Sequence, residues 1–238
     1  MDRMMTATIL RAAFELMIVL GGAAWPAEAQ EQKSPYPSMA SVEQYTMERQ
    51  AEIALARSAA PDSVSRDAEV LVMGPRGYET AAKGTNGFVC MVLRSWTAGI
   101  DDPDFWNPKL RAAICFNPAA TRSYLPIVVK KTELILAGKS KAQMADNITA
   151  AFDKKELPMQ ESGAMCYMMS IQSYLGDSAQ HWHPHLMFFI PQTDALTWGA
   201  DLPGSPIVAS VDTLDRLTVF LVTVGKWSDG TTAPAYDH

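Results

Sequence analysis

The order of apolar periods along this chain predicts an α+β fold: a mainly antiparallel sheet of about five strands, with an αα-hairpin and an N-terminal helix packed against it. Three observations carry that expectation. Short apolar runs bounded by turn residues occur at 69–73 and 88–93, and again at 164–169, 186–190 and 217–224. Between the two groups lie two segments, 127–137 and 140–152, whose apolar residues recur at helical spacing. Of the 238 residues 48% are hydrophobic and 9% aromatic, enough for one packed core.

The first 29 residues belong to a different pattern. Arg3 and Arg11 precede the apolar stretch 16–25, and Pro26 and Ala27-Glu28-Ala29 follow it. A basic region, an apolar region and a small-x-small site in that order form a secretory signal, expected to span 1–29. The apolar stretch is shorter than the ~20 residues a membrane-spanning helix needs, so no stable span is expected after cleavage. Residues 30–40 are polar and proline-rich and read as a flexible leader. The globular domain is expected over 41–238.

Each element then follows from its punctuation. Ser41 has the character of an N-cap, and the run through Ile53, Leu55 and Ala56 reads as a helix ending before Pro61. The run 69–73 stops at Gly74-Pro75, and 88–93 is entered through Asn86-Gly87, both of which tolerate positive φ. These two are read as antiparallel strands separated by an excursion around Tyr78. The Pro-, Asp- and Asn-rich section 101–124 predicts turns at Asp101-Asp102-Pro103-Asp104 and at Trp106-Asn107-Pro108, with a short helix over 110–114. The helix over 127–137 is stopped by Gly138; Ser140 opens the next, whose Met144, Ile148 and Phe152 share one face. The last run, 217–224, is apolar at both parities, which predicts a strand covered on both faces.

Composition excludes some functions. The formal net charge is −6, with no basic stripe to displace counterions from phosphate, which argues against nucleic acid as a partner. Gly138-Lys139-Ser140 lacks the earlier glycine of a phosphate loop, since Glu133 stands in its place, and no Gly-x-Ser-x-Gly elbow is present. The methionines lie mostly in apolar runs, where they fill gaps in a core. Three cysteines, Cys90, Cys115 and Cys166, include no Cys-x-x-Cys pair. In an oxidising compartment a Cys90–Cys115 bridge is the favoured pairing; three unlinked core thiols is the open alternative.

One cluster carries chemistry. His181-Trp182-His183-Pro184-His185 holds three of the four histidines, and imidazole is a ready ligand for zinc or copper. In an extended segment alternate residues lie about 6.6 Å apart on one side, so His181 and His183 can meet one ion; residues four apart lie roughly 13 Å apart, so His185 cannot join the same pair without a bend. Cys166 or Asp177 would then complete the ligand set, with Met168 as a softer donor. Three further readings of the cluster stand beside this one: acid–base work by one imidazole without metal, nucleophilic catalysis with Ser178 and Asp177 near the histidines or Cys166 paired with His183, and a half-exposed sheet edge with no chemistry. The function expected is an exported, periplasmic or secreted binding or interaction module with a His-based metal site, whose partner is a small ligand or an envelope protein. The alternatives are a small metal-dependent hydrolase using His181 and His183, and a structural envelope protein without pocket chemistry.

Overall fold

The computed structural model describes residues 35–177 and 182–234. The expected signal, the leader up to residue 34 and His181 lie outside the described residues. The described residues form one eight-stranded mixed sheet in the order β2-β1-β3-β4-β5-β6-β8-β7. The α+β class stands, but the expectation of a mainly antiparallel sheet of about five strands does not: three strands were missed, and one pairing is parallel.

The chain enters through a short 3-10 turn, Val42–Tyr45, and the first helix, α1 (Arg49–Arg57), begins only after it. Ser41 makes no side-chain cap bond. The cap is Glu48, whose carboxylate accepts from the backbone N–H groups of Gln50 and Ala51. After the single turn α2 (Asp62–Ser65) come β1 (Glu69–Gly74), β2 (Gly77–Ala82) and β3 (Val89–Leu93). The excursion around Tyr78 is itself a strand: β2 folds back antiparallel on β1 through a tight turn, Gly74 pairing with Gly77. Residues 83–88 then return under β1, so that β3 lies parallel to β1 on its other side, with Val70 beside Cys90. The return is close, and a Cβ at Gly84 would stand 2.1 Å from the Glu69 nitrogen.

The helix expected over 110–114 is also corrected, because Ala112–Phe116 is β4, paired antiparallel with β3 and buried at every position. A five-residue apolar run carries no period that separates strand from helix; its place between two other strands decides the matter. Next come α3 (Pro118–Ser123), α4 (Leu125–Leu136) and α5 (Lys141–Asp153). The last two form the expected αα-hairpin, joined through Gly138 at φ 77° and a Ser140/Gln143 capping box. The sheet resumes with β5 (Met165–Met168), β6 (His185–Pro191), β7 (Ile207–Asp212) and β8 (Leu217–Thr223). Of these, β7 was not foreseen in the sequence.

The two faces of the sheet are covered unequally. On one, Cys90, Val92, Ala113 and Cys115 pack under Leu55 and Ala56 of α1. On the other, Met91, Ile114, Phe116 and Cys166 pack under Ala120, Leu125 and Val128 of α3 and α4, while α5 adds Met144, Ile148 and Phe152 to an outer cluster with Tyr45, Trp96 and Phe105. Beyond β5 the α3–α4 cluster reaches Phe189 of β6 and Leu217 of β8, and the short 3-10 turn Ala195–Trp198 brings Trp198 onto Phe220. Accordingly β8 is buried only at Leu217, Thr218 and Phe220, so it is not the doubly covered strand that its composition suggests.

Cys90 and Cys115 are cross-strand neighbours on β3 and β4 and are joined by a disulfide. Cys166 is not part of it because of parity. On β5 it pairs with Phe116, whereas Cys115 pairs with Tyr167, so its side chain projects from the opposite face. It is a buried free thiol.

Candidate functional site

Because β5 and β6 are adjacent, the strand pattern itself places most of the anticipated metal ligands. Met168 pairs with His185 and Cys166 with Met187, so Cys166, Met168 and His185 share one sheet face. The local chemistry nevertheless turns them away from coordination. His185 is 5% exposed, and its Nδ1–H donates to the His183 carbonyl at 2.7 Å. Its ring meets Trp182 edge-on at 6.1 Å, and Trp182 in turn packs against Trp227 at 4.8 Å. Burial lowers the His185 pKa from its ordinary value. Cys166 is sealed in the core, where burial pushes its thiol up, away from the thiolate that a metal requires.

Asp177 is not with the histidines' strand neighbours either. Its carboxylate accepts from the hydroxyls of Tyr174 and Tyr36, and these two bonds hold its pKa below the usual carboxylate value. Its own N–H donates to Asp104 Oδ2 at 3.2 Å. Among the described residues no three His, Cys, Asp or Glu side chains come together as a metal-holding group. His181 lies outside the described residues. Cys166, Asp177, His183 and His185 are therefore placed individually, but they do not assemble among themselves into a site.

The concave feature lies elsewhere on the same sheet face. Leu93 pairs with Ala112 across β3 and β4, Met187 with Leu221 across β6 and β8, and Leu221 with Val208 across β8 and β7. With Met168 and Val219 these side chains form one apolar floor crossing six strands, and above it opens a cleft of about 610 Å³. At a strand spacing of about 4.8 Å the floor is roughly 24 Å long. One wall is the loop from Thr97 to Asp102 and the other runs from β7 into the turn at Leu214; Leu175 and Tyr124, which stacks on Phe189 at 4.0 Å, also line it.

Both walls are held from outside. The Ile100 carbonyl accepts from Lys141 Nζ at 3.1 Å. The β7–β8 turn is tied to α4 by the buried Lys131–Asp215 pair at 2.7 Å, and to α5 by Arg216, which donates to Asp153 and lies 5.1 Å over Phe152. Asp215 Oδ1 finds no hydrogen-bond partner among the described residues, and burial raises this carboxyl's pKa despite Lys131.

Among the described residues no tryptophan lines the cleft. Trp96 and Trp106 are core residues, and Trp198 stacks on Phe220 across the opposite face at 4.4 Å. Sequence reasoning missed the cleft because its floor takes one or two residues from each of six strands, a combination with no local signature. The one available signal is the pair Asp101-Asp102, which in the sequence reads as a turn marker. No helix among the described residues is long and apolar enough to cross a membrane. No family profile, curated protein or solved structure matches the chain.

Proposed function

We propose that this chain is an exported binding module, working in the periplasm or outside the cell, that holds a small apolar molecule in the cleft between the 97–102 loop and β7. The observation that carries the reading is the floor itself. Met187, Val208, Val219 and Leu221 line one cleft with Met168 and stay only half-buried there, in a sheet whose β3 and β4 are buried at every position. A concave, mostly apolar site of this volume, with a few polar groups at its margin, has the usual form of a small-molecule site. Two methionines in the floor give it polarizable, adaptable side chains. Export is supported by the order of segments in residues 1–29 and by the Cys90–Cys115 disulfide. A hydrolase built on His181 and His183 gains no support from the described residues, where the anticipated third ligands are engaged or buried.

The test uses the fluorescence of N-phenyl-1-naphthylamine, a neutral aromatic probe whose emission rises in apolar surroundings. Saturable binding of one equivalent is expected, with at least a ~10-fold loss in Leu221→Trp, which places an indole on the floor. Val208→Trp, at the half-buried far wall, serves as a second blocking variant, and circular dichroism checks that each folds. Absence of saturable binding, or equal binding by the wild type and both folded variants, removes the reading.

A further inference from the structure

The charged groups around the cleft are of one effective sign. Four charged residues line it: Arg94, Asp101, Asp102 and Asp212. The single base is already spent. Arg94 is fully buried, its Nε donates to the Tyr45 carbonyl at 2.7 Å, its Nη1 to the Val92 carbonyl and its Nη2 to Glu52 at 2.8 Å. Its charge is balanced by Glu52, which is equally buried.

The three aspartates have no such balance. None of them is in an ion pair among the described residues. Asp102 Oδ1 accepts the Asp104 N–H at 2.7 Å and Asp212 Oδ1 accepts the Asp215 N–H at 2.9 Å, which fixes these carboxylates in orientation without neutralising them. Asp212 pairs with Leu217 at the end of β7, in the same side-chain parity as Val208. It therefore projects to the face that carries the floor. Asp101 and Asp102 stand on the facing loop wall. Lys141 Nζ, held by the Ile100 carbonyl and over the Phe105 ring, is not among the residues that line the cleft. An apolar trough whose two walls present three aspartates and no lysine among the described lining residues is complementary to a molecule that joins an apolar body to a positive group.

Building on the proposed binding function, we propose that the ligand is a cationic amphiphile: its alkyl or aryl body lies on the floor, and its ammonium or amidinium group sits at the mouth among Asp101, Asp102 and Asp212. Anionic amphiphiles of the same length are disfavoured at that mouth, and neutral ones are intermediate.

Dodecyltrimethylammonium, dodecanol and dodecyl sulfate, each below its micelle concentration, are to be compared as displacers of N-phenyl-1-naphthylamine, with calorimetry as a direct check. The cation is expected to displace the probe at a concentration about 10-fold lower than the sulfate, with the alcohol between them, and added salt should narrow the difference. In Asp101→Asn, Asp102→Asn, Asp212→Asn the ratio should fall to near one. Asp101→Lys, at an exposed position, should also lower it, and serves if the triple variant does not fold. Equal displacement by cation and sulfate in the wild type, or a ratio untouched by both variants, overturns the charge inference. That failure differs from failure of the cleft itself, in which the naphthylamine does not bind or Leu221→Trp does not weaken it.

Discussion

The two halves of the sheet are built from similar strands and end in different states. In the half β2-β1-β3-β4, the ten residues of β3 and β4 are all buried. In the half β5-β6-β8-β7, no residue of β7 is buried, and β8, which reads Leu-Thr-Val-Phe-Leu-Val-Thr, is buried at three positions. Hydrophobicity does not explain the contrast; coverage does. The first half has α1 on one face and α3 and α4 on the other, a disulfide linking its two central strands, and the fully buried Arg94–Glu52 pair at its margin. In the second half the α3–α4 cluster reaches Cys166, Met168, Phe189 and Leu217 on the face that opens into the cleft, and the indole of Trp198 stacks on Phe220 on the other. Apolar strand residues left uncovered in an otherwise well-packed domain mark the place where something else is expected to bind.

The contrast can be broken most directly at the covered half. Glu52→Ala leaves the Arg94 guanidinium buried without its counter-charge and also removes the acceptor of the Met73 N–H. A loss of about 3–5 kcal/mol in unfolding free energy is expected by urea denaturation; a loss under about 1 kcal/mol would mean that water reaches Arg94 and that this half is less sealed than described.

Next in size is the disulfide. Cys90→Ala, Cys115→Ala opens a link between residues 25 apart in sequence and should cost about 3 kcal/mol. In the wild type a thiol assay on the denatured, unreduced chain should find a single reactive group, Cys166; three would mean the bridge is absent.

The open half should respond less. Trp198 is 42% exposed and stacks on Phe220, so Trp198→Ala is expected to cost ~1 kcal/mol, well below what a core tryptophan loses. A cost as large as that of Glu52→Ala would erase the distinction between the halves.

The smallest effect is a pH dependence at the start of β6. Burial lowers the folded-state pKa of His185 below its ordinary 6.5, so the folded chain favours the neutral ring. The stability this contributes is fully present above about pH 6.5 and is lost as the pH falls through the folded-state pKa. Unfolding free energies of the wild type and His185→Gln should therefore converge between pH 7 and pH 5. A difference that stays constant over that range would show that His185 titrates alike in both states.

Legibility in the sequence followed how local the deciding signal was. The helix α5 was readable because Ser140, Gln143 and the Met144, Ile148, Phe152 stripe lie within 13 residues. The runs that became β1, β3, β5, β6 and β8 were found, but the direction of β1 against β3 was not, because the reversal depends on β2, whose Gly-Tyr-Glu-Thr-Ala-Ala carries no strong strand pattern. Ala112–Phe116 is the opposite case, an apolar run too short to reveal its own period. At the candidate site, the spacing of His181 and His183 suggested chemistry; His181 lies outside the described residues, and His185 donates to the His183 carbonyl.

By itself the sequence determined the α+β class, the αα-hairpin with its caps, and the negative formal charge. These depend on composition and on residues within a turn or two of each other. Tertiary structure alone decided which cysteine stands apart, which apolar strands stay uncovered, and that Asp101, Asp102 and Asp212 border one cleft. Strand order and side-chain parity bring together residues up to 128 positions apart in the chain, and neither is written in any local window.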